Sequence, residues 1–218
     1  MEESKWERYA ALGGIAFVVL NVVGALLPGA PPSGDDSPGK IGRYFVDHGG
    51  AVEVAQILLG LGVIGLLWWF GSLWRMMCRA ENERPRLAIV AAIGLAMGGS
   101  LAIIGGAITA AATLRLDVVS PNETTFLFVL STVMLSSAGF FIVAHLGAVC
   151  ALSYKTKMLP AWLTYLGWVV AALFLAGTGG AASDAGVFGA LGLGSFLLWC
   201  VWIVGVSLHM WKAAAPTS

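Results

Sequence analysis

Residues 51–74 read AVEVAQILLGLGVIGLLWWFGSLW, a run in which Glu53 is the one charged side chain. A helix of about 20 apolar residues is long enough to cross the ~30 Å hydrocarbon core of a bilayer. This run is therefore typical of a membrane-spanning helix, and it predicts that the chain lies in a membrane.

The composition extends this prediction to the whole chain. Of its 218 residues, 58% are hydrophobic and only 11% are charged, whereas soluble domains have about a quarter charged residues. Six apolar runs are separated by polar interruptions: residues 9–27, 51–74, 87–114, 124–152, 159–176 and 185–209. Glutamates crowd the flank of the first run, so it is predicted to be a retained span and not a cleaved signal peptide. The sequence predicts one all-α transmembrane domain over residues 1–218.

The distribution of Lys and Arg predicts the orientation of this bundle. Nine of the twelve basic residues fall on the side that holds both chain ends: Lys5, Arg8, Arg75, Arg79, Arg84, Arg86, Lys155, Lys157 and Lys212. Cytoplasmic loops carry the excess of basic residues in membrane proteins. We therefore expect both termini in the cytoplasm of a cell whose plasma membrane holds the protein. The net charge of zero gives no indication of nucleic-acid binding.

The first outer connection, from Pro28 to Gly50, is longer than a compact bundle needs. Within it, Ile41, Tyr44, Phe45 and His48 recur at helical spacing after Ser37 and Pro38, which are typical of a helix start. This pattern predicts a short amphipathic helix over residues 38–48 that ends at Gly49-Gly50. Two interpretations stay open: an interfacial helix lying in the outer headgroups, or a lid over the outer mouth of the bundle.

Polar side chains next to this loop predict a pocket beneath it. Glu53 and Gln56 lie three residues apart on one face of the second span, and Asn21 lies at similar depth on the first. Such groups are costly in contact with lipid, so they should face protein or a wet cavity. The predicted ligand-binding residues, for a small amphipathic molecule or a lipid, are Asn21, Tyr44, Phe45, His48, Glu53 and Gln56. The alternative is that these groups only bond neighbouring helices or water at the interface.

A second function class follows from small residues. The third span carries Gly94, Gly98, Ala102, Gly105 and Thr109 on one stripe, and the sixth carries Gly186, Ala190 and Gly194. Such stripes let helices approach closely. They favour a non-transporting accessory or scaffold protein that docks other helices, or a homo-oligomer formed through these faces.

The histidines offer a third alternative, a haem-binding membrane protein. His145 and His209 lie on spans four and six, which run in the same direction, so axial ligation of a haem is conceivable. Counting from Lys155 and Lys212, however, the two differ in depth by about 10 Å. No catalytic motif, metal-binding motif or paired cysteine motif is found in the sequence, so no cofactor, metal site or catalytic residue is predicted, and an enzyme is not expected.

Three segments together carry a family resemblance: ALLPGAPP at the end of the first span, IGRYFVDHGG in the outer loop, and LLWWFGSLW before an Arg-rich turn. The chain resembles six-helix integral membrane proteins of high-GC Gram-positive bacteria, mainly over residues 8–115. That family has no assigned activity, so the resemblance implies a plasma-membrane location and transfers no functional residue.

Overall fold

The apolar runs fold as helices, the form in which a single segment satisfies all its backbone hydrogen bonds within a membrane. The computed structural model describes residues 2–82, 84–183 and 186–213, with side chains from residue 9 onward. Ala185, the predicted first residue of span six, and the side chains of Lys5 and Arg8 lie outside this description.

The described residues contain six long helices and no strand. They are α1 (Glu2–Leu26), α2 (Pro38–Ala80), α3 (Leu87–Leu114), α4 (Pro121–Thr156), α5 (Ala161–Gly177) and α6 (Gly186–Ala213), with a 3₁₀ turn at Thr178–Ala181 after α5. Each is long and apolar enough to cross a membrane, α5 together with the 3₁₀ turn that follows it. The fold is consistent with an integral, multi-pass membrane protein, as the sequence predicted.

The helices pack around α2, which contacts α1, α3, α4 and α6. The closest pairings are α1 with α2 and α3 with α4, while α5 lies between α4 and α6, and α6 returns to α1. Glycines allow the α3–α4 approach. A Cβ at Gly94 would lie 2.6 Å from the carbonyl oxygen of Phe141, and one at Gly105 would lie 3.2 Å from that of Ser131. The predicted small-residue stripe of α3 is therefore used within the chain.

The prediction of a separate helix over residues 38–48 is wrong in one respect. Those residues are helical and begin at Pro38, but the helix continues through Gly49 and Gly50 into the second span without a break. Glycine is a poor helix former, but tertiary contacts override propensity. Here Gly49 packs against Thr113 of α3: a Cβ added to Gly49 would lie 3.5 Å from the Cβ of Thr113. The result is one 43-residue helix.

Side-chain caps fix the starts of two helices, α4 and α3. Ser120 and Glu123 form a capping box: the Ser120 hydroxyl accepts from the Glu123 N–H, and the Glu123 carboxylate accepts from the Ser120 N–H at 2.7 Å. This fixes the start of α4 at Pro121.

The start of α3 is capped by Glu81 in the α2–α3 turn. Its carboxylate accepts from the backbone N–H groups of Leu87 and Ala88, both at 2.9 Å, and of Arg86 at 3.2 Å. Desolvation alone would raise the pKa of this carboxyl, but the three N–H donors and the charge of Arg86 together lower it. Glu81 thus stays ionised at the positive end of the α3 dipole, which fixes the turn.

Candidate functional site

A cavity of about 180 Å³ lies among α1, α2, α3 and α4, at the end of the bundle that carries the α1–α2 loop. Its walls are mostly apolar side chains and backbone, with Thr109 of α3 as one of its few polar residues. The side chains that form its walls on α2 and α4 are Tyr44, Phe45, Val52, Ala55 and Phe128. Apolar pockets with few polar groups are the usual form of small-molecule sites.

Three aromatic rings shape one side of this cavity. Phe45 is 0% exposed and meets Phe128 of α4 edge-on, with ring centroids 5.9 Å apart. Tyr44 meets Phe45 edge-on at 5.3 Å. Edge-to-face pairs at these distances are favourable beyond the area they bury. The first turns of α2 are therefore held against α4 by this cluster.

The connection between α1 and α2, residues 27–37, covers the cavity, and we call it the covering loop. Pro28, Gly29 and Pro31 contribute to the lining, and Gly29 adopts a positive φ of 74° that favours glycine. Further along, Asp36 fastens the loop to α2. Its carboxylate accepts from Lys40 Nζ at 2.7 Å and from the Ser33 N–H at 2.9 Å.

The protonation of Asp36 follows from these contacts. The hydrogen bond from Lys40, followed by that from the Ser33 N–H, lowers the pKa of Asp36. The pair lies at the surface, where such ion pairs contribute little to stability. Its role is to set the path of the covering loop over the cavity.

The structure brings two of the six sequence-predicted site residues to this cavity. Tyr44 and Phe45 line it. His48 stacks on Tyr44 with centroids 4.8 Å apart, and its Nδ1 lies 3.1 Å from the Tyr44 carbonyl oxygen, but its ring is exposed.

The other three predicted residues face neighbouring helices. The half-buried Glu53 carboxylate accepts from the Thr113 hydroxyl of α3 at 3.2 Å. Gln56 Nε2 donates to the carbonyl oxygen of Ile103 at 3.3 Å. Asn21 is buried between α1 and α2 beside Gly62, and donates to the Phe17 carbonyl of its own helix at 3.0 Å. Glu53 and Gln56 therefore join α2 to α3, Asn21 packs between α1 and α2, and none of the three is a lining residue of the cavity.

Sequence reasoning missed Val52, Ala55, Thr109 and Phe128 as lining residues. Three of them are apolar and resemble any other residue of a span. One signal was available, since positions 44, 45, 52 and 55 share one face of a continuous helix. The predicted break at Gly49-Gly50 hid that relation.

The two histidines proposed as haem ligands bond to different parts of the chain. His145 is 0% exposed, and its Nδ1 lies 2.9 Å from the carbonyl oxygen of Ala91. Its ring packs against Phe70 and Trp202, at centroid distances of 5.7 and 6.3 Å. His209 Nε2 instead lies 3.2 Å from the carbonyl oxygen of Met158, which follows α4. His145 is thus part of an aromatic core, and His209 joins α6 to the α4–α5 turn.

That aromatic core fills the half of the bundle away from the cavity. Trp69 of α2 and Trp202 of α6 are fully buried and meet edge-on at 6.1 Å, and Trp202 donates to the Leu163 carbonyl at 3.0 Å. Leu73 and Met77 of α2 are also fully buried there. The described residues include no group of three or more His, Cys, Asp or Glu side chains placed to hold a metal ion.

Comparisons with known proteins do not assign this site. No protein-family model, curated protein or solved structure matches the chain. The site is an apolar cavity with aromatic walls beside the α1–α2 loop, and the other half of the bundle is filled by buried side chains.

Proposed function

We propose that this protein binds a small amphipathic molecule at the outer side of the plasma membrane, with the apolar part of that molecule inside the cavity beneath the covering loop. The observation that carries the proposal is the cavity itself, about 180 Å³ with a mostly apolar lining. An apolar cavity of about 150 Å³ is known to hold benzene. The volume therefore suits a ring or a short alkyl segment.

Binding is favoured over passage through the bundle. Trp69, Trp202, Leu73 and Met77 are fully buried in the half away from the cavity. Since protein interiors are close-packed, a molecule could cross this half only by displacing these side chains. The proposed site therefore has no open passage through the other half of the bundle.

Filling the cavity tests this proposal. Ala55→Phe places a ring in the cavity from α2, whereas Ile57→Phe adds the same ring to a side chain that is 62% exposed and does not line it. The probe is an octyl phosphocholine with a diazirine at its chain end, photolysed on protein in nanodiscs. We expect mass spectrometry to find labelling at Phe128 and Val52 that Ala55→Phe abolishes and Ile57→Phe preserves. Labelling of Phe128 that is unchanged in Ala55→Phe would contradict the proposal.

The orientation of the bundle is part of the proposal, because the cavity must face the exterior. It is supported by the nine basic residues on the side of the chain ends. A reporter that is active only in the cytoplasm should work when fused after Ser218 or within residues 79–84. It should fail when inserted within residues 31–39. Activity in the opposite pattern would place the cavity on the cytoplasmic side.

Docking of other helices is a second candidate function, favoured by α6. The α3 stripe is occupied by α4, but the predicted α6 stripe of Gly186, Ala190 and Gly194 is exposed, and a Cβ added at Gly194 would meet no described atom within 4 Å. An exposed face of small residues suits a second copy of the chain. Native mass spectrometry from nanodiscs should then detect a dimer that Gly194→Leu disrupts. A purely monomeric wild-type protein would remove this candidate.

A further inference from the structure

A small cleft lies at the α4–α5 turn, far from the cavity. It has a volume of about 20 Å³, and its lining includes Ser153, Tyr154, Lys157 and Tyr165. A space of this size holds one oxygen-sized atom. Ser153 lies about 37 Å further along α4 than Phe128 of the cavity, at a rise of ~1.5 Å per residue. The cleft is therefore separate from the site beneath the covering loop.

The surface around this cleft is positively charged. Residues 124–183 include no Asp or Glu, and their charged side chains are Lys155 and Lys157. Both lysines are exposed, and neither forms an ion pair with a residue that the structure describes. The Lys157 ammonium lies 5.0 Å from the centre of the Tyr154 ring, within the range of a cation–π contact. An ammonium group that no carboxylate neutralises therefore borders the cleft.

The backbone of Lys157 indicates that this charge has a use. Lys157 follows α4 in the left-handed conformation, with φ 59° and ψ 28°. Glycine and asparagine adopt this conformation at less cost than lysine, and Asn82 holds the left-handed position after α2. Ser153 fixes the turn, since its Oγ accepts from the Leu159 N–H at 3.1 Å and lies 2.7 Å from Thr164 Oγ1. Costly backbone conformations that the surrounding structure enforces cluster at binding sites.

The surface next to the cleft, towards the middle of α5, is apolar and exposed. Tyr165 and Trp168 lie three residues apart on one face of α5, and they are 60% and 44% exposed. The Trp168 ring lies beside Gly147 of α4, where an added Cβ would be 4.0 Å from the ring. A positive cleft thus continues into an apolar path between two helices, which matches the charged head and the acyl chain of a phospholipid.

We propose that this surface binds one anionic phospholipid, with its phosphate beside the Lys157 ammonium at the cleft and an acyl chain along Trp168. A zwitterionic phospholipid also has a phosphate, but it brings a cation next to Lys155 and Lys157, so the anionic headgroup is favoured. The proposed orientation places the α4–α5 turn in the cytoplasmic leaflet, which is rich in anionic lipid. The inference concerns a second surface and does not rest on the proposed function of the cavity.

Native mass spectrometry of the delipidated protein in detergent micelles tests this inference. The probes are phosphatidylglycerol and phosphatidylcholine with the same acyl chains. We expect the wild-type protein to bind the first phosphatidylglycerol about 5-fold more tightly than phosphatidylcholine, the effect of one lysine beside an anionic lipid. Lys157→Gly and Lys157→Asn should bring this ratio close to one without lowering the melting temperature, because both residues suit the left-handed position. Lys155→Gln removes the same charge outside the cleft and should keep the preference.

Each of the opposite results would overturn the proposal. Equal affinity of the wild-type protein for the two lipids, or a preference that both Lys157 variants retain, would exclude an anionic-lipid site at the cleft. Equal losses in Lys157→Gly and Lys155→Gln would mean that only diffuse charge attracts the lipid. Displacement of the lipid by millimolar inorganic phosphate would mean that the cleft takes a soluble anion. A lower melting temperature of both Lys157 variants would mean that this lysine serves the fold.

Discussion

Replacing Gly94 by leucine is expected to separate α3 from α4 and to lower the free energy of unfolding by about 3 kcal/mol or more, at the upper end of overpacking effects. A Cβ at this position would lie 2.6 Å from the Phe141 carbonyl oxygen and 2.8 Å from the His145 nitrogen. Both are backbone atoms, so a rotamer change cannot relieve the contact. Reversible unfolding in mixed micelles measures the effect.

Two other glycines of α3 serve as controls for this experiment. Gly99→Leu should change stability little, because a Cβ there meets no described atom within 4 Å. Gly98→Leu should fall between the two, at about 1 to 3 kcal/mol, since its closest contact is the flexible end of Ile142 at 2.9 Å. Equal stability of all three variants would mean that α3 does not pack on α4 through this face.

The second large effect is expected at the centre of the aromatic core. Trp202→Ala should destabilise the protein by about 3 to 5 kcal/mol, because it opens a cavity that Trp69, His145 and Leu163 cannot fill. It also removes the hydrogen bond from the indole N–H to the Leu163 carbonyl. In a bilayer the destabilisation comes mainly from lost van der Waals contacts. Lipid is as apolar as the protein core, so burial of apolar surface contributes little.

The matched control is a tryptophan on the surface of the bundle. Trp68 precedes Trp69 on α2 and is 63% exposed, so Trp68→Ala removes the same side chain without opening an internal cavity. Its effect on unfolding should be a small fraction of that of Trp202→Ala. If the two substitutions cost the same, the aromatic core does not hold α2, α4 and α6 together.

The span positions could be predicted because membrane insertion depends on composition over about 20 residues. Residues 87–114 were predicted as a span and are α3 in the structure. The start of α4 was predictable for a local reason, since the capping box uses side chains and N–H groups within four residues of each other. Both features are set by neighbours in the sequence.

The site could be predicted only in part, because it depends on contacts between distant residues. Glu53 was expected near a pocket, but its partner is Thr113, sixty positions further along the chain. Likewise, the helix continues through Gly49 because α3 packs there, which no local pattern indicates. Phe128 and Ala55 are apolar like most residues of the spans, so the sequence does not mark them as site residues. They line the cavity because α2 and α4 pack beside it.

The most direct test of the central claim is the position of a heavy-atom probe in the folded protein. Crystals grown in a lipid mesophase would be soaked with bromobenzene, an apolar ring that needs only the apolar cavity. The account predicts an anomalous bromine peak between Phe45, Ala55 and Phe128, and its loss in Ala55→Phe. Bromine peaks confined to the lipid-facing surface of α2, with the space beneath the covering loop filled by protein side chains, would contradict it.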